Sequence, residues 1–336
     1  MKAVLLVGGE GTRLRPITLH RPKSMVPLVN RPFLEYQLAL LKRHGVREAV
    51  LSSCHLPGTI RRRFGTGAAY GLRLHYAVEK KPLGTAGAVK FASRKLGRES
   101  TLLVLNGDIL TDMDLGKLTA FHRRLRADLT LGLSQVPDPS GYGVVRVTSS
   151  GRVRQFIEKP NLDEVKSPWI NAGIYVFGPA ALDAIPERGA WSAERGLFPQ
   201  LLQRRARVMG FPHRHYWQDI GTLARYHRAH VDILEGRMFA LAGMTPGRSR
   251  RRGQAGPRCR IHEQARVEKP TVMGGGCRVA AGARLRRLTV LGDRVRIGAR
   301  AVLHDCVLWD DVAVGEGAQL SGCVLAKGCR VGAFAK

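Results

Sequence analysis

From Ile261 onward the chain repeats itself every six residues, and that period rules out most folds. Ile261, Val267, Met273, Val279, Leu285, Leu291, Ile297, Leu303 and Trp309 put a large side chain at every sixth position. Four residues after each stands a small or β-branched partner: Ala265, Thr271, Cys277, Ala283, Thr289, Val295, Ala301, Val307 and Ala313. The register then slips, and Val314/Leu320 and Leu325/Val331 resume the spacing. Six is neither the period of a helix nor that of a flat strand. It fits a parallel β-helix in which each side of a triangular coil takes one repeat. The large residue points inward and the small one fits near a corner, so Cys277 belongs to an interior stack.

The residues before the repeat read differently. A chain of 336 residues has room for two domains. Residues 1–240 alternate short apolar runs with helical patterns, an α/β signature. Expected strands are Ala3 to Val7, Glu48 to Ser52, Leu72 to Ala77, Thr101 to Leu105, Leu129 to Ser134, Val144 to Thr148 and Ile170 to Phe177. Helical patterns run over Phe33 to His44, Ala86 to Leu96 and Asp114 to Arg126. Residues 241–258 are small, basic and glycine-bearing and read as a linker; the β-helix follows over 259–336. Parallel strands with crossover helices place ligands at the strand carboxyl ends. Gly8 to Arg13 and Asn106-Gly107-Asp108 both fall at such ends.

The first of these ends carries the strongest chemical signal. The apolar run Ala3-Val4-Leu5-Leu6-Val7 empties into Gly8-Gly9-Glu10-Gly11-Thr12-Arg13-Leu14-Arg15-Pro16, and Arg21-Pro22-Lys23-Ser24 comes soon after. A buried strand that opens into glycines lets a phosphate chain lie on backbone N–H groups. Arg13 and Lys23 can flank that anion. The spacing is neither G-x-G-x-x-G nor G-x-x-x-x-G-K-[ST], and glycines alone would suit any tight turn.

Gly-Gly-x-Gly-Thr-Arg-Leu-Arg-Pro, then Arg-Pro-Lys, then Asn30-Arg31-Pro32-Phe33-Leu34-Glu35-Tyr36, closely resembles the sugar-1-phosphate nucleotidyltransferases, and within them the mannose-1-phosphate guanylyltransferases. The repeat region resembles the left-handed hexapeptide β-helix that caps many of these enzymes. The resemblance covers essentially the whole chain. It implies a Rossmann-like nucleotidyltransferase domain with a mostly parallel sheet, joined to that β-helix. The implied reaction is attack of a sugar-1-phosphate oxygen on the α-phosphorus of an NTP, with pyrophosphate leaving. The nucleophile is already an anion, so no general base is needed. The difficulty is electrostatic, and positioning plus charge stabilisation answers it. That calls for cations and Mg²⁺-binding carboxylates, and no Ser-His-Asp set is evident.

Carried onto matching positions, the resemblance assigns the following roles. Arg13 holds the β- and γ-phosphates and Lys23 bridges the two reacting phosphates. Gly8, Gly9, Gly11 and Thr12 form the nucleotide loop. Asp108 and Asp219, in Trp217-Gln218-Asp219, hold Mg²⁺, a hard cation that accepts one or two carboxylates plus phosphate oxygens. Glu79, Gly84 and Thr85, in Glu79-Lys80-Lys81-Pro82-Leu83-Gly84-Thr85, meet the base. Relatives using uridine or thymidine nucleotides tend to carry glutamine at the position of Glu79. A carboxylate only accepts hydrogen bonds, which matches the adjacent N1–H and N2–H₂ of guanine. Alternatively Glu79 points to solvent and pairs with Lys80 or Lys81. On the sugar side stand Gly143, Glu158, Lys159 and Asn171. Lys23 is followed by Ser24, where relatives usually have proline.

The net charge of +29 is extreme. It would attract polyanions, yet arginine is spread along the chain. The run Arg248-Ser249-Arg250-Arg251-Arg252 has no interleaved aromatics of the kind single-strand binders use, which argues against nucleic acid as a partner. The six cysteines form no C-x-x-C pair, so a zinc cluster is unsupported. No apolar run is long enough to span a bilayer, and Met1-Lys2 leads straight into a strand. A cytoplasmic, homo-oligomeric enzyme is expected, with no membrane partner. Glucose-1-phosphate thymidylyl-, uridylyl- or adenylyltransferase and heptose-1-phosphate guanylyltransferase remain rivals. A non-catalytic regulatory subunit of the same layout would be expected to lose Arg13, Lys23, Asp108 or Asp219. An acyltransferase reading of the β-helix is the weaker one, since His262 and His304 have no evident supporting context.

Overall fold

The computed structural model describes residues 1–97, 101–214, 216–238 and 254–336. Most of the expected linker, and the arginine run at 248–252, lie outside them. The chain forms two compact units. One comprises residues 1–11, 18–25 and 37–217; the other comprises residues 12–17, 26–36 and 218–336.

The first unit is built on a nine-stranded sheet. Its strands are β1 (Lys2–Leu6), β2 (Glu48–Ser53), β3 (Arg73–Val78), β4 (Leu102–Asn106), β5 (Leu129–Gln135), β6 (Gly143–Val147), β7 (Val153–Glu158), β8 (Trp169–Phe177) and β9 (Val208–Pro212). Their order is β7-β6-β8-β4-β1-β2-β3, with β5 joined to both β8 and β9. β1 runs parallel to β2 and β4, β2 to β3, and β5 to β9. β8 turns the sheet antiparallel, pairing so with β4 and β5. The central strand is buried on both faces, with Ala3, Val4 and Leu5 wholly enclosed. A continuous apolar run is what such a position demands. Helix Gly84–Ser93 lays Ala86, Val89 and Ala92 against the same core, which Leu131, Tyr175, Phe177 and Phe198 complete. The expected strands all form, with ends shifted by about one residue. The additional strands β7 and β9 lie at sheet margins. β7 mixes exposed Arg154 and Gln155 with its apolar residues, and β9 contains Gly210 and Pro212, so neither reads as a buried strand.

In the second unit, helix Leu223–Leu234 is capped by Thr222, whose side chain accepts from the N–H of Arg225. Its Tyr226 hydroxyl donates to the carbonyl of Pro27 and accepts from Trp309 Nε1 at 3.0 Å. His230 Nδ1 accepts from the N–H of Val29 at 3.3 Å. Residues 254–336 form the expected left-handed parallel β-helix, with three stacked parallel sheets. Its corners fall into columns of positive φ: Arg258, Gly276, Arg294, Asp311 and Gly328 in one, and Gly282, Arg300, Gly317 and Phe334 in another. Cys277 lies in the interior stack as expected.

The structure corrects the repeat at one point. The register slips one step earlier than the sixfold spacing indicates. Leu308, not Trp309, stacks beneath Leu291 and enters the core, and Cys306 takes the interior place expected of Val307. Ala313 stands outward, in register with Arg296. Two large apolar residues are adjacent at 308 and 309, and spacing alone does not choose between them. Tyr226 does, by giving the indole N–H of Trp309 a partner outside the coil.

Two buried imidazoles make the fold acid-sensitive. His122 shares a hydrogen bond with Thr130 Oγ1 at 2.9 Å, and burial pushes its pKa down to about 4. Burial pushes His230 down to about 3. In the unfolded chain both take a proton near pH 6.5. Below that pH the unfolded state binds more protons than the folded one, so stability falls as pH drops toward 4. The melting temperature is expected to decline steadily from pH 7 to pH 5. A level profile would contradict neutral, buried imidazoles.

Candidate active site

In the first unit the ends of the parallel strands are drawn together. Val7 N–H donates to the carbonyl of Ser52 at 2.8 Å, and Gly107 N–H to that of Leu6 at 2.9 Å. The Gly8–Gly11 loop opens above them, with free space where a Gly9 side chain would stand. Gly11 has φ +65°, and a Cβ there would lie 3.1 Å from Lys23 Cβ. Glycine therefore permits both the left-handed turn and the approach of Lys23. Lys23 begins a short 3₁₀ turn, and its Nζ stands 2.5 Å from Asp108 Oδ2. The two side chains are only 12% and 28% exposed, so the pair is partly desolvated and its hydrogen bond charge-assisted. Gln37 Nε2 steadies the loop that carries Asp108, donating to the carbonyls of Asn106 at 2.7 Å and Ile109 at 3.1 Å. Gly8, Gly9, Gly11, Lys23 and Asp108 thus meet at the carboxyl end of the sheet.

Glu79 follows β3 at the same carboxyl end and is buried. Its carboxylate accepts from Ser52 Oγ at 2.9 Å and from the N–H of Leu83 at 3.1 Å. The solvent-facing alternative, with Lys80 or Lys81 as partner, is therefore incorrect. Gly84 has φ +70°, and a Cβ there would lie 2.7 Å from the carbonyl of Trp191. Thr85 Oγ1 donates to Glu194 Oε2 at 2.7 Å and accepts the N–H of Ala193 at 2.7 Å. Its hydroxyl is committed to the protein, as is the backbone of Leu83, whose carbonyl accepts the N–H of Trp191 at 2.7 Å.

Gly143 and Glu158 sit opposite each other in the β6–β7 register. Burial raises the pKa of Glu158, and the Glu194 charge adds to the rise, while Lys159 and Arg195 oppose it. Lys159 adopts φ +50°, with its N–H donating to the carbonyl of Tyr142 at 3.1 Å. Asn171 donates to Tyr175 Oη at 2.9 Å and accepts from the N–H of Gly173 at 3.2 Å. Glu194 and Arg195 are the residues that sequence reading missed here. Ser192 Oγ also donates to Glu194, at 2.9 Å. The one local signal was Ser192 as the N-cap of the turn Ala193–Leu197.

The second unit holds Thr12, Arg13 and Asp219. Thr12 opens the 3₁₀ turn that carries Arg13. Asp219 is buried; its Oδ1 accepts the N–H of Gly221 at 2.7 Å, and Arg225 Nη1 reaches both oxygens at 3.1 and 2.9 Å. A Cβ on Gly221 would press on Asp219 and stand 3.2 Å from Arg13 Nη2, so the guanidinium of Arg13 lies beside this carboxylate.

Among the described residues no three His, Cys, Asp or Glu side chains converge as a metal cage. Mg²⁺ does not require one, because it keeps water and phosphate oxygens as ligands. Asp108 fits that role: Lys23 engages Oδ2, and no described residue hydrogen-bonds to Oδ1. Asp219 fits less openly, with both oxygens held by Arg225.

Residues 2–236 match the family model for nucleotidyl transferase, and residues 260–336 match that for the GlmU-like C-terminal hexapeptide. Over 235 residues the chain is 40% identical to a mannose-1-phosphate guanylyltransferase of Mycobacterium tuberculosis, covering 70% of this chain and 65% of that protein. Over 224 residues it is 38% identical to a mannose-1-phosphate guanyltransferase of Yarrowia lipolytica, covering 66% and 61%. The match thus spans just under two thirds of these relatives' own lengths. The crystal structure of HddC from Yersinia pseudotuberculosis superposes with a TM-score of 0.60 at 27% identity, over 69% of this chain and 98% of that one. Among the described residues no helix is long and apolar enough to cross a membrane. By the family model that matches its first 236 residues almost end to end, the chain belongs to the nucleotidyl transferase family.

Proposed function

We propose that the chain transfers a nucleotidyl group from GTP to mannose-1-phosphate. A phosphate oxygen of the sugar attacks the α-phosphorus, a P–O bond forms, the α–β bridging P–O bond breaks, and pyrophosphate leaves. The observation that carries the reading is the Lys23–Asp108 pair beside the glycine loop, at the carboxyl ends of parallel strands. A cation and a carboxylate in contact suit a polyphosphate and its metal together. One or two Mg²⁺ ions, with Asp108 and Asp219 as the carboxylates to hold them, would supply charge neutralisation. Arg13 grips the leaving phosphates, and Lys23 steadies the attacking phosphate and the α-phosphate. Gly8, Gly9, Gly11 and Thr12 cradle the nucleotide, and Glu79, Gly84 and Thr85 its base. Gly143, Glu158, Lys159 and Asn171 take the sugar phosphate. The names of both relatives support the substrate pair. The domain boundaries proposed are 1–240 for catalysis and 259–336 for the β-helix, the latter offering contacts for self-assembly.

The test is pyrophosphate release with Mg²⁺, each NTP and a panel of sugar-1-phosphates. GTP with mannose-1-phosphate is expected to exceed every other pair by at least about tenfold in kcat/KM, which is about 1.4 kcal/mol of discrimination. A preference for dTTP or UTP would overturn the guanine assignment and leave the reaction class standing. No turnover with any pair would favour the regulatory reading.

A further inference from the structure

One sheet of the β-helix carries a column of arginines without acidic partners. Along its stacked strands the outward residues are Arg260, Arg278, Arg296, Ala313 and Arg330, paired rung upon rung. Neighbouring rungs lie about 4.8 Å apart. Arg278 and Arg296 are one spacing apart, and Ala313 opens a gap before Arg330. Like charges at such a spacing repel by about 1 kcal/mol even at the dielectric of water. All four arginines are exposed, and among the described residues none of them makes an ion pair. The nearby acid is already taken: Asp311 binds Arg294 through two bonds of 2.6 and 3.0 Å and lies 3.8 Å from Lys327. Arg278, Arg294, Arg296 and Arg330, with Asp311 and Ala313, line a cavity of about 480 Å³. That is the volume of a small-molecule site.

We propose that this cavity binds an oligophosphate anion of two or three phosphate groups. Guanidinium forks match phosphate oxygens two at a time. The gap at Ala313 gives the anion room between Arg296 and Arg330. The limited volume, and a lining with one acid already paired to Arg294, favour a short anion over a long polymer. A second column on the coil, Arg266 and Arg284, ends at Val302 and Gln319 and lines no part of this cavity. It is the internal control.

Calorimetric titration of inorganic tripolyphosphate into the full chain, at about 150 mM salt to screen diffuse attraction, tests the site by stoichiometry. The proposed active site also takes a triphosphate, so two equivalents are expected. Arg278→Ser/Arg296→Ser should retain one, and Arg266→Ser/Arg284→Ser should retain two. Arg278→Lys/Arg296→Lys keeps the charge but loses the fork, and should bind about tenfold more weakly at the second site. Thermal melts of each variant verify that the coil is intact. If the active-site reading fails, the wild-type chain binds one equivalent and the serine column variant none. Competition with ATP separates the sources: equal or tighter binding points to a nucleoside polyphosphate, and weaker binding to an inorganic one. Unchanged stoichiometry in the Arg278/Arg296 variant would overturn the proposal. So would equal loss in the control variant, or displacement by oligonucleotides that strengthens with their length.

Discussion

Asp108→Asn is expected to lower the rate of pyrophosphate release by about a thousandfold at saturating substrates. The amide keeps the shape and can still accept from Lys23, whose Nζ lies 2.5 Å from the native carboxylate. What it loses is the negative charge proposed to draw a divalent ion to the phosphates. Removing one such electrostatic element typically costs 10²- to 10³-fold in kcat. Because the amide keeps a hydrogen bond to Lys23, the folding cost should be small, about 1 kcal/mol. Steady-state rates across an Mg²⁺ titration, together with a melting curve, separate the two effects. Lys23→Met should also be severe, and the double variant should fall short of the product of the singles, because the residues touch. A near-normal rate for Asp108→Asn would remove that carboxylate from the chemistry.

Glu79→Gln should swing nucleotide preference from GTP toward UTP or dTTP by roughly a hundredfold in the ratio of kcat/KM values. A well-aligned pair of hydrogen bonds to a base edge is worth about 1–3 kcal/mol of discrimination. The glutamine can keep both contacts that fix the side chain. Its oxygen accepts from the N–H of Leu83, and its amide donates to Ser52 Oγ, which the native carboxylate reaches at 2.9 Å. The fold should therefore survive, and the change should appear in competition between nucleotides rather than in the melting temperature. An unaltered GTP to UTP ratio would place the base elsewhere.

The sequence was most legible where one residue's neighbours are set by short spacing. The parallel strands, the glycine loop and the sixfold coil all follow from local pattern, because a buried strand must be apolar and a coil side must return inward every sixth residue. Legibility ended where a partner lies far along the chain. Glu194 is tied to Thr85 from 109 residues away, and no local motif announces that bond. The resemblance sets Glu79 against a base, with a solvent-facing pairing to Lys80 or Lys81 as the alternative; its partner Ser52 lies 27 residues earlier, beyond the reach of any local pattern. The resemblance makes Asp219 a metal carboxylate, and nothing in its own stretch announces that Arg225, six residues on in the following helix, holds both its oxygens. The marginal strands β7 and β9 were hidden because a sheet edge tolerates polar and ring-bearing residues that a central strand does not.

The early slip of the coil has a consequence for how its length can change. Ile261 stacks on Val279 and Val279 on Ile297, circuits of eighteen; Ile297 stacks on Val314 and Val314 on Val331, circuits of seventeen. The short side between Leu303 and Leu308 lies directly under another of the same length, Leu320 to Leu325. The ladder keeps its pairing across the change from eighteen to seventeen, so one residue removed at this corner is absorbed without turning the later inward residues toward water, and the next storey repeats the shorter perimeter. Loss or gain of a whole storey likewise leaves the wall intact.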